Sequence, residues 1–234
     1  AAPDDAKITS DMESVQRRAA AFAQTYKDTI EKAEVTAGHI KAALDEYEDL
    51  IRAQYKPQAY AQLLFSTDTR DPQRGALVQK TQEFGSAVTT LLVFFELEIG
   101  RMPAAAYERI AAAEELKAYR HFLTQVRQQA RHNLSEPEEK ILVETSNSRG
   151  SAFGRLFTEI QGRTRYTLDD ADLSQEELLS KLYDPKRQVR RQAATSLSAG
   201  LQDNAHACTF IYNTLLHEKD VLDRLRGYER PESS

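Results

Sequence analysis

Apolar residues recur every three or four positions along most of this 234-residue sequence, and alternation with a period of two is almost absent. A spacing of three and four places apolar side chains on one face of an α-helix. One such series runs from Met12 to Ile30, and the next runs from Ile40 to Ile51. The sequence therefore predicts an all-α protein: an elongated antiparallel helical bundle of about eight to ten helices, with at most one short strand or extended linker.

Helix starts can be predicted from capping residues. A serine followed three positions later by a glutamate is the capping-box pattern, in which each side chain bonds a backbone N–H of the first helical turn. The pattern occurs at Ser10, Ser135 and Ser174, and Thr36 is the predicted cap of the second helix. We therefore expect a helix to begin at each of these four residues.

Proline and glycine predict further boundaries. Aspartate followed by proline combines a capping side chain with a residue suited to the first helical position, and this pair occurs at Asp71 and Asp184. Pro57 predicts the first turn of a short third helix, and Gly200 predicts the end of a helix.

The long helix that follows Asp71 is apolar on more than one face around residues 91–95, so we expect it to lie centrally among its neighbours. Residues 163–168 alternate briefly between polar and apolar and are the only predicted strand or extended linker. We predict two segments, an amino-terminal helical bundle over residues 1–130 and a second helical segment over residues 131–234.

Composition excludes several classes of protein. Acidic residues outnumber basic ones by 36 to 31, and the net charge of −5 argues against general binding to nucleic acid. The longest apolar run, residues 91–95, is too short to cross a bilayer. The single cysteine, Cys208, lies in an apolar pattern and is predicted to be a buried thiol in a cytoplasmic protein. No signal peptide is visible, but the absent initiator methionine leaves open a trimmed chain or a mature secreted form.

No complete catalytic motif is present. His217 and Glu218 begin the zinc-binding pattern HExxH, but the second histidine is replaced by Val221, which has no ligand atom. Glu96 and Glu98 are two positions apart, about 200° around a helix, and cannot point at one site together. Neither GxSxG nor a glycine-rich phosphate loop occurs. The sequence therefore assigns no catalytic residue and no metal ligand, and leaves the substrate-binding residues unknown.

Two further groups of residues have structural explanations. The densest basic patch comprises Lys186, Arg187, Arg190 and Arg191. Helical spacing places its arginines opposite the apolar face of the same helix, as expected of a solvated face. Four tyrosines near apolar series are predicted to be packing residues with a solvated hydroxyl: Tyr47, Tyr55, Tyr60 and Tyr107.

Several segments, in the same order, resemble those of the oligoendopeptidase F family, zinc oligopeptidases related to thimet oligopeptidase. The segments are YAQLLFSTDTRDP (60–72), FFELE (94–98), YRHFL (119–123), HNLSEPEEKIL (132–142), DPKRQVRRQAATSL (184–197) and NTLLHEKDVLDRLRGYERP (213–231). The resemblance covers nearly the whole chain and concerns only the amino-terminal region of the family.

The resemblance implies that these helices form a wall and cover of a deep channel, while zinc and its ligands lie further along the polypeptide. None of the family's zinc ligands maps onto this chain, so zinc is expected in a catalytic domain not present here. The implied function is the amino-terminal substrate-gating portion of a zinc metalloendopeptidase that hydrolyses short peptides. Its implied partners are short unfolded peptides and the carboxyl-terminal catalytic domain. The alternative is a self-standing helical scaffold or adaptor that binds a partner protein.

Overall fold

A computed structural model of the protein describes residues 5–233. Within this range the chain forms ten α-helices and one hairpin of two short strands, which confirms the all-α class. The helices are α1 (Ala6–Tyr26), α2 (Ala37–Thr67), α3 (Pro72–Arg101), α4 (Ala104–Ala112), α5 (Arg120–Gln129), α6 (Glu136–Thr145), α7 (Gly150–Arg163), α8 (Gln175–Lys181), α9 (Arg187–Asp203) and α10 (Ala205–Leu225), and the strands are β1 (Tyr166–Leu168) and β2 (Ala171–Leu173).

The main hydrophobic core lies where α1, α2 and α3 pack against one another and against α4 and α5. Phe22 is fully buried at its centre, with its ring centroid 5.3 Å from that of Phe95 in an edge-on arrangement. Such edge-on pairs add to the stabilisation that comes from burying the rings. α3 packs against α1, α2, α5 and α6, and residues on several of its faces are buried, which confirms its predicted central position.

Most of the predicted helix starts are confirmed. Thr36 caps α2 by accepting the His39 backbone N–H at 3.2 Å. Asp71 caps α3, with Pro72 in its first turn. The capping boxes at Ser135 and Ser174 begin α6 and α8.

Two predicted boundaries in the amino-terminal bundle are wrong. Ser10 lies inside α1, which begins at Ala6 and is capped by Asp5, whose Oδ1 accepts the Lys7 backbone N–H at 2.9 Å. Pro57 does not start a new helix, because α2 continues through it. The proline is itself buried, and the packing of α2 on both sides of it compensates for one lost backbone hydrogen bond.

Two boundaries in the second segment are also wrong. The carboxylate of Asp184 accepts the Lys186 backbone N–H at 2.8 Å in a turn, and α9 begins only at Arg187. Gly200 lies inside α9 and does not end it. A Cβ atom at Gly200 would lie 2.5 Å from Cε1 of Tyr166, so this glycine leaves space for the tyrosine ring.

The predicted strand is present as β1, but it pairs antiparallel with β2, so residues 5–233 contain two short strands rather than at most one. The turn between them places Asp169 and Asp170 at φ angles of 49° and 64°, as in the two-residue turns that suit hairpins. A separate small core forms around this hairpin from Tyr166, Leu168, Leu178 and Ala193. The division of the chain at residue 130 stays a prediction.

Candidate functional site

The incomplete zinc motif is not completed by residues from elsewhere in the described part of the chain. His217 is exposed on α10, one turn before Val221. Among residues 5–233, no group of three or more histidine, cysteine, aspartate or glutamate side chains could hold a metal ion. The residues described therefore do not fit a zinc site.

Glu96 and Glu98 diverge as the helical spacing predicts. Glu98 is fully buried, and its carboxylate accepts the backbone N–H groups of Asp28 at 2.7 Å and Ile30 at 3.1 Å. Burial raises the pKa of Glu98, and the two N–H bonds only partly oppose this. Glu96 is exposed and accepts a hydrogen bond from the Tyr47 hydroxyl at 2.7 Å. Glu98 is therefore a structural group that holds the connection between α1 and α2.

The basic patch lies on a solvated face of α9. Arg187 and Arg191 are exposed, while Ala193 is buried. Arg190 is half-buried and donates to the backbone carbonyls of Asp184 and Pro185 at 2.8 and 3.0 Å. These contacts close the turn before α9.

Three of the four tyrosines, Tyr47, Tyr60 and Tyr107, are half-buried and pack against the core clusters as predicted. The prediction for Tyr55 is wrong, since this side chain is 67% exposed. It follows Gln54 on α2, which faces α3, so Tyr55 points away from the core. Cys208 is half-buried rather than buried, with its Sγ 4.0 Å from Nε2 of Gln161.

A groove runs along α3, between the amino-terminal bundle and α6. It consists of two adjoining cavities of about 290 and 440 Å³, whose linings share Thr89, Glu139 and Arg226. The side of α3 from Gln82 to Leu97 lines it. Ligand sites favour such junctions between packed units.

One side of the groove is held by an ion pair between α6 and the residue that follows α10. The guanidinium of Arg226 donates to both carboxylate oxygens of Glu139, at 2.6 and 2.7 Å, and to the His132 carbonyl at 3.2 Å. Burial acts to raise the pKa of Glu139, but the bonds from Arg226 and from the Leu134 N–H outweigh it and lower the pKa. The pair therefore fixes the end of α10 against α6.

Amide side chains line another part of the groove. Gln54 is 9% exposed, and its Nε2 donates to the Gly85 carbonyl at 3.1 Å and to Thr89 Oγ1 at 3.2 Å. Its Oε1 has no hydrogen-bond partner among the described residues. Gly85 leaves space for Gln58, because a Cβ atom there would lie 1.9 Å from Gln58 Nε2. The groove thus contains a buried acceptor that the described residues leave unpaired.

The sequence analysis did not identify these groove residues. The signal available was weak: Gln54 and Gln58 lie four positions apart on the side of α2 that faces α3, where apolar residues are the rule. Nothing in the sequence indicates that Gly85 faces them, because the contact spans 31 residues of chain between Gln54 and Gly85.

Comparison with known proteins gives one family match. Residues 98–174 match the family model described as oligopeptidase F, which confirms the resemblance found in the sequence. No curated protein sequence matches the chain. No helix in the described part of the chain is long and apolar enough to cross a membrane.

Two of the solved structures that match this chain illustrate the shared fold. The crystal structure of oligoendopeptidase-F from Enterococcus faecium matches with a TM-score of 0.82 at 18% identity, over 98% of this chain and 46% of that one. A candidate peptidase from Chlamydophila abortus matches with a TM-score of 0.59 at 13% identity, over 94% of this chain and 39% of that one. The chain therefore spans less than half the length of either structure.

Proposed function

We propose that this chain is the amino-terminal, substrate-gating portion of a zinc metalloendopeptidase that hydrolyses short peptides. The observation that carries the proposal is the match of 98% of the chain to less than half of an oligoendopeptidase-F, at a TM-score of 0.82. The independent match of residues 98–174 to the oligopeptidase F family supports it.

The contribution of this chain to such an enzyme is steric. Zinc would be held by a catalytic domain outside this chain, where it would activate water and polarise the scissile carbonyl. The packed helices of the bundle, with α3 at its centre, would form a wall beside the catalytic centre. Such a wall would admit extended peptides and exclude folded proteins. The partners proposed are short unfolded peptides and that catalytic domain, in the cytoplasm.

The two predicted segments fit this role. Residues 1–130 hold the main core, and residues 131–234 would lead from it towards the catalytic domain. The boundary at residue 130 is part of the proposal.

The test is a comparison of the 234-residue chain with the polypeptide that its gene encodes in full. Turnover of a quenched fluorescent peptide should require the full polypeptide and zinc, stop with a chelator, and be absent with the chain alone. The same cleavage sequence placed in a folded protein should resist cleavage. A full polypeptide without HExxH, or zinc-dependent cleavage by the chain alone, would overturn the proposal.

The second candidate is a self-standing scaffold that binds a partner protein. It is favoured by large apolar side chains exposed on α7 and α10, among them Phe157 at 45%, Phe210 at 59% and Leu216 at 50%. A stop codon directly after Ser234 would favour this scaffold over the peptidase.

A further inference from the structure

The groove along α3 contains a polar atom whose hydrogen-bonding capacity is unused. Oε1 of Gln54 is buried and has no hydrogen-bond partner among the described residues. Buried polar atoms in folded proteins are usually paired, so an unpaired one indicates a partner outside the chain. Gln54 Oε1 needs a donor. A peptide main chain supplies such a donor as its N–H.

The middle of the groove carries no unbalanced charge. Arg226 is paired with Glu139, and Nε of Arg149 lies 3.3 Å from Oε1 of Glu218, with which it forms an ion pair. The other polar groups around Gln54 are amides and hydroxyls: Gln58, Gln82, Ser86, Thr89, Asn147 and Ser151. A neutral, hydrogen-bonding surface of this kind suits a peptide main chain better than a phosphate or a carboxylate.

The length of the groove sets the size of the ligand. From Gln82 to Leu97, α3 rises by about 22 Å at roughly 1.5 Å per residue. An extended chain covers at most about 3.3–3.6 Å per residue. The groove therefore accommodates about six or seven extended residues.

The end of the groove beyond Thr89 is negative. Glu96 lines it, is exposed, and bonds to the hydroxyl of Tyr47. Within residues 5–233, no ion pair joins Glu96 to a basic side chain. A positive group of a ligand can therefore pair with its carboxylate.

We infer that this groove binds an extended peptide of about six or seven residues, with a main-chain N–H bonded to Gln54 Oε1 and the peptide's amino group at Glu96. The inference rests on the proposed function, because it takes the peptide to be the substrate of that enzyme. It adds the site, the length and the direction of the bound peptide.

Calorimetric titration of the 234-residue chain with a seven-residue peptide of uncharged side chains tests the inference. The peptide is used with a free amino group and with an acetylated one. Acetylation should weaken binding about two- to fivefold, the range expected for an exposed ion pair. No measurable binding of the free peptide overturns the inference.

Two variants test the two contacts. Gln54→Met preserves side-chain length and removes the acceptor, so binding of both peptides should weaken roughly three- to tenfold. Glu96→Gln should weaken binding of the free peptide about two- to fivefold and leave the acetylated peptide unchanged. Glu83→Gln is the matched control, because Glu83 is exposed on the same helix outside the groove and should have no effect.

Thermal unfolding of each variant separates lost binding from lost folding. If Gln54→Met does not fold, Glu96→Gln alone tests the inference. This variant should bind the free and the acetylated peptide with equal affinity. Equal binding by wild type, Gln54→Met and Glu96→Gln overturns the inference.

The same variants in the full polypeptide separate this inference from the proposed function. If the full polypeptide binds the peptide but does not cleave it, the proposed function is wrong and the inferred binding site stands. If it cleaves the peptide with a KM that neither substitution changes, the inferred site is wrong and the proposed function stands.

Discussion

The amino-terminal helices α1 to α5 and the later helices α7 to α10 differ in how much of their surface is buried. The first group shares one hydrophobic core that extends from Met12 to Val126. In the second group, α7 has no buried residue and the 21-residue α10 has one, Ile211. Because burial of apolar surface is the main source of folding free energy, the first group supplies most of the stability. The second group buries few side chains, and its own core is the small cluster around the hairpin.

Polar contacts position the carboxyl-terminal end of the second group. The side chain of Arg226 forms the ion pair with Glu139. Its backbone carbonyl accepts a hydrogen bond from Nδ1 of His132 at 2.8 Å. The imidazole of His132 stacks on the ring of Tyr228 with centroids 3.8 Å apart. Directional contacts of this kind set the position of the end of α10 more than they add stability.

The largest effect is expected when a phenylalanine is replaced by alanine in each of the two regions and the losses of stability are compared. Phe22→Ala removes a fully buried ring that contacts four other aromatic rings, and should lower the free energy of unfolding by roughly 3–5 kcal/mol. Phe210→Ala removes a ring that is 59% exposed, and should change it by less than about 0.5–1 kcal/mol. Urea denaturation of both variants measures the contrast. Equal losses would show that the two regions are supported equally.

A smaller effect tests the hairpin core of the second region. Gly200→Ala places a Cβ atom 2.5 Å from the Tyr166 ring, and the overpacking should cost about 1–3 kcal/mol. Hydrogen exchange should report faster exchange in residues 166–173, with α1 to α3 unchanged. Gly154→Ala is the control, since a Cβ atom there has no neighbour within 4 Å and should stabilise α7 by about 0.5–1 kcal/mol. Faster exchange throughout the bundle would contradict a separate hairpin core.

The smallest effect is a difference in pH dependence between two buried carboxylates, Glu98 on α3 in the first group and Glu139 on α6, which holds the end of α10. The raised pKa of Glu98 means that its contribution to stability is fully present below its unfolded-state pKa and is lost as pH rises through its folded-state pKa. The lowered pKa of Glu139 means that its contribution is present above its unfolded-state pKa and is lost as pH falls through its folded-state pKa.

Urea unfolding of wild type, Glu98→Gln and Glu139→Gln from about pH 3 to pH 7 measures this difference. As pH rises, the free energy of unfolding of Glu98→Gln should increase relative to that of wild type. Over the same pH range, the free energy of unfolding of Glu139→Gln should decrease relative to that of wild type. Parallel curves for the two variants would show that the two carboxylates do not differ in this way.

Several local features of the fold could be predicted because the residues that decide them are close in sequence. Thr36 and Asp71 cap their helices through bonds to residues two or three positions away. Pro57 and Gly200 were misinterpreted for the opposite reason. Each is a helix boundary signal by local preference, but tertiary packing keeps the helix continuous through Pro57, and Gly200 accommodates Tyr166 from 34 positions earlier.

The candidate groove could not be predicted, because its contacts join distant parts of the chain. Arg226 and Glu139 are 87 positions apart, and Gln54 and Gly85 are 31 apart. The sequence did separate Glu96 from Glu98, since helical geometry alone places them about 200° apart. It could not show that one would be buried against the α1–α2 connection and the other exposed beside Tyr47.

By itself, then, the sequence determined the helical class, the starts of α2, α3, α6 and α8, and the absence of a complete HExxH motif, because each depends on residue spacing within a few helical turns. Only the tertiary structure decided where α3 meets α6, which carboxylate is buried, and that Gln54 has an unpaired oxygen in a groove. Those features depend on which helix faces meet, and spacing along one helix specifies its own apolar face but not the partner that covers it.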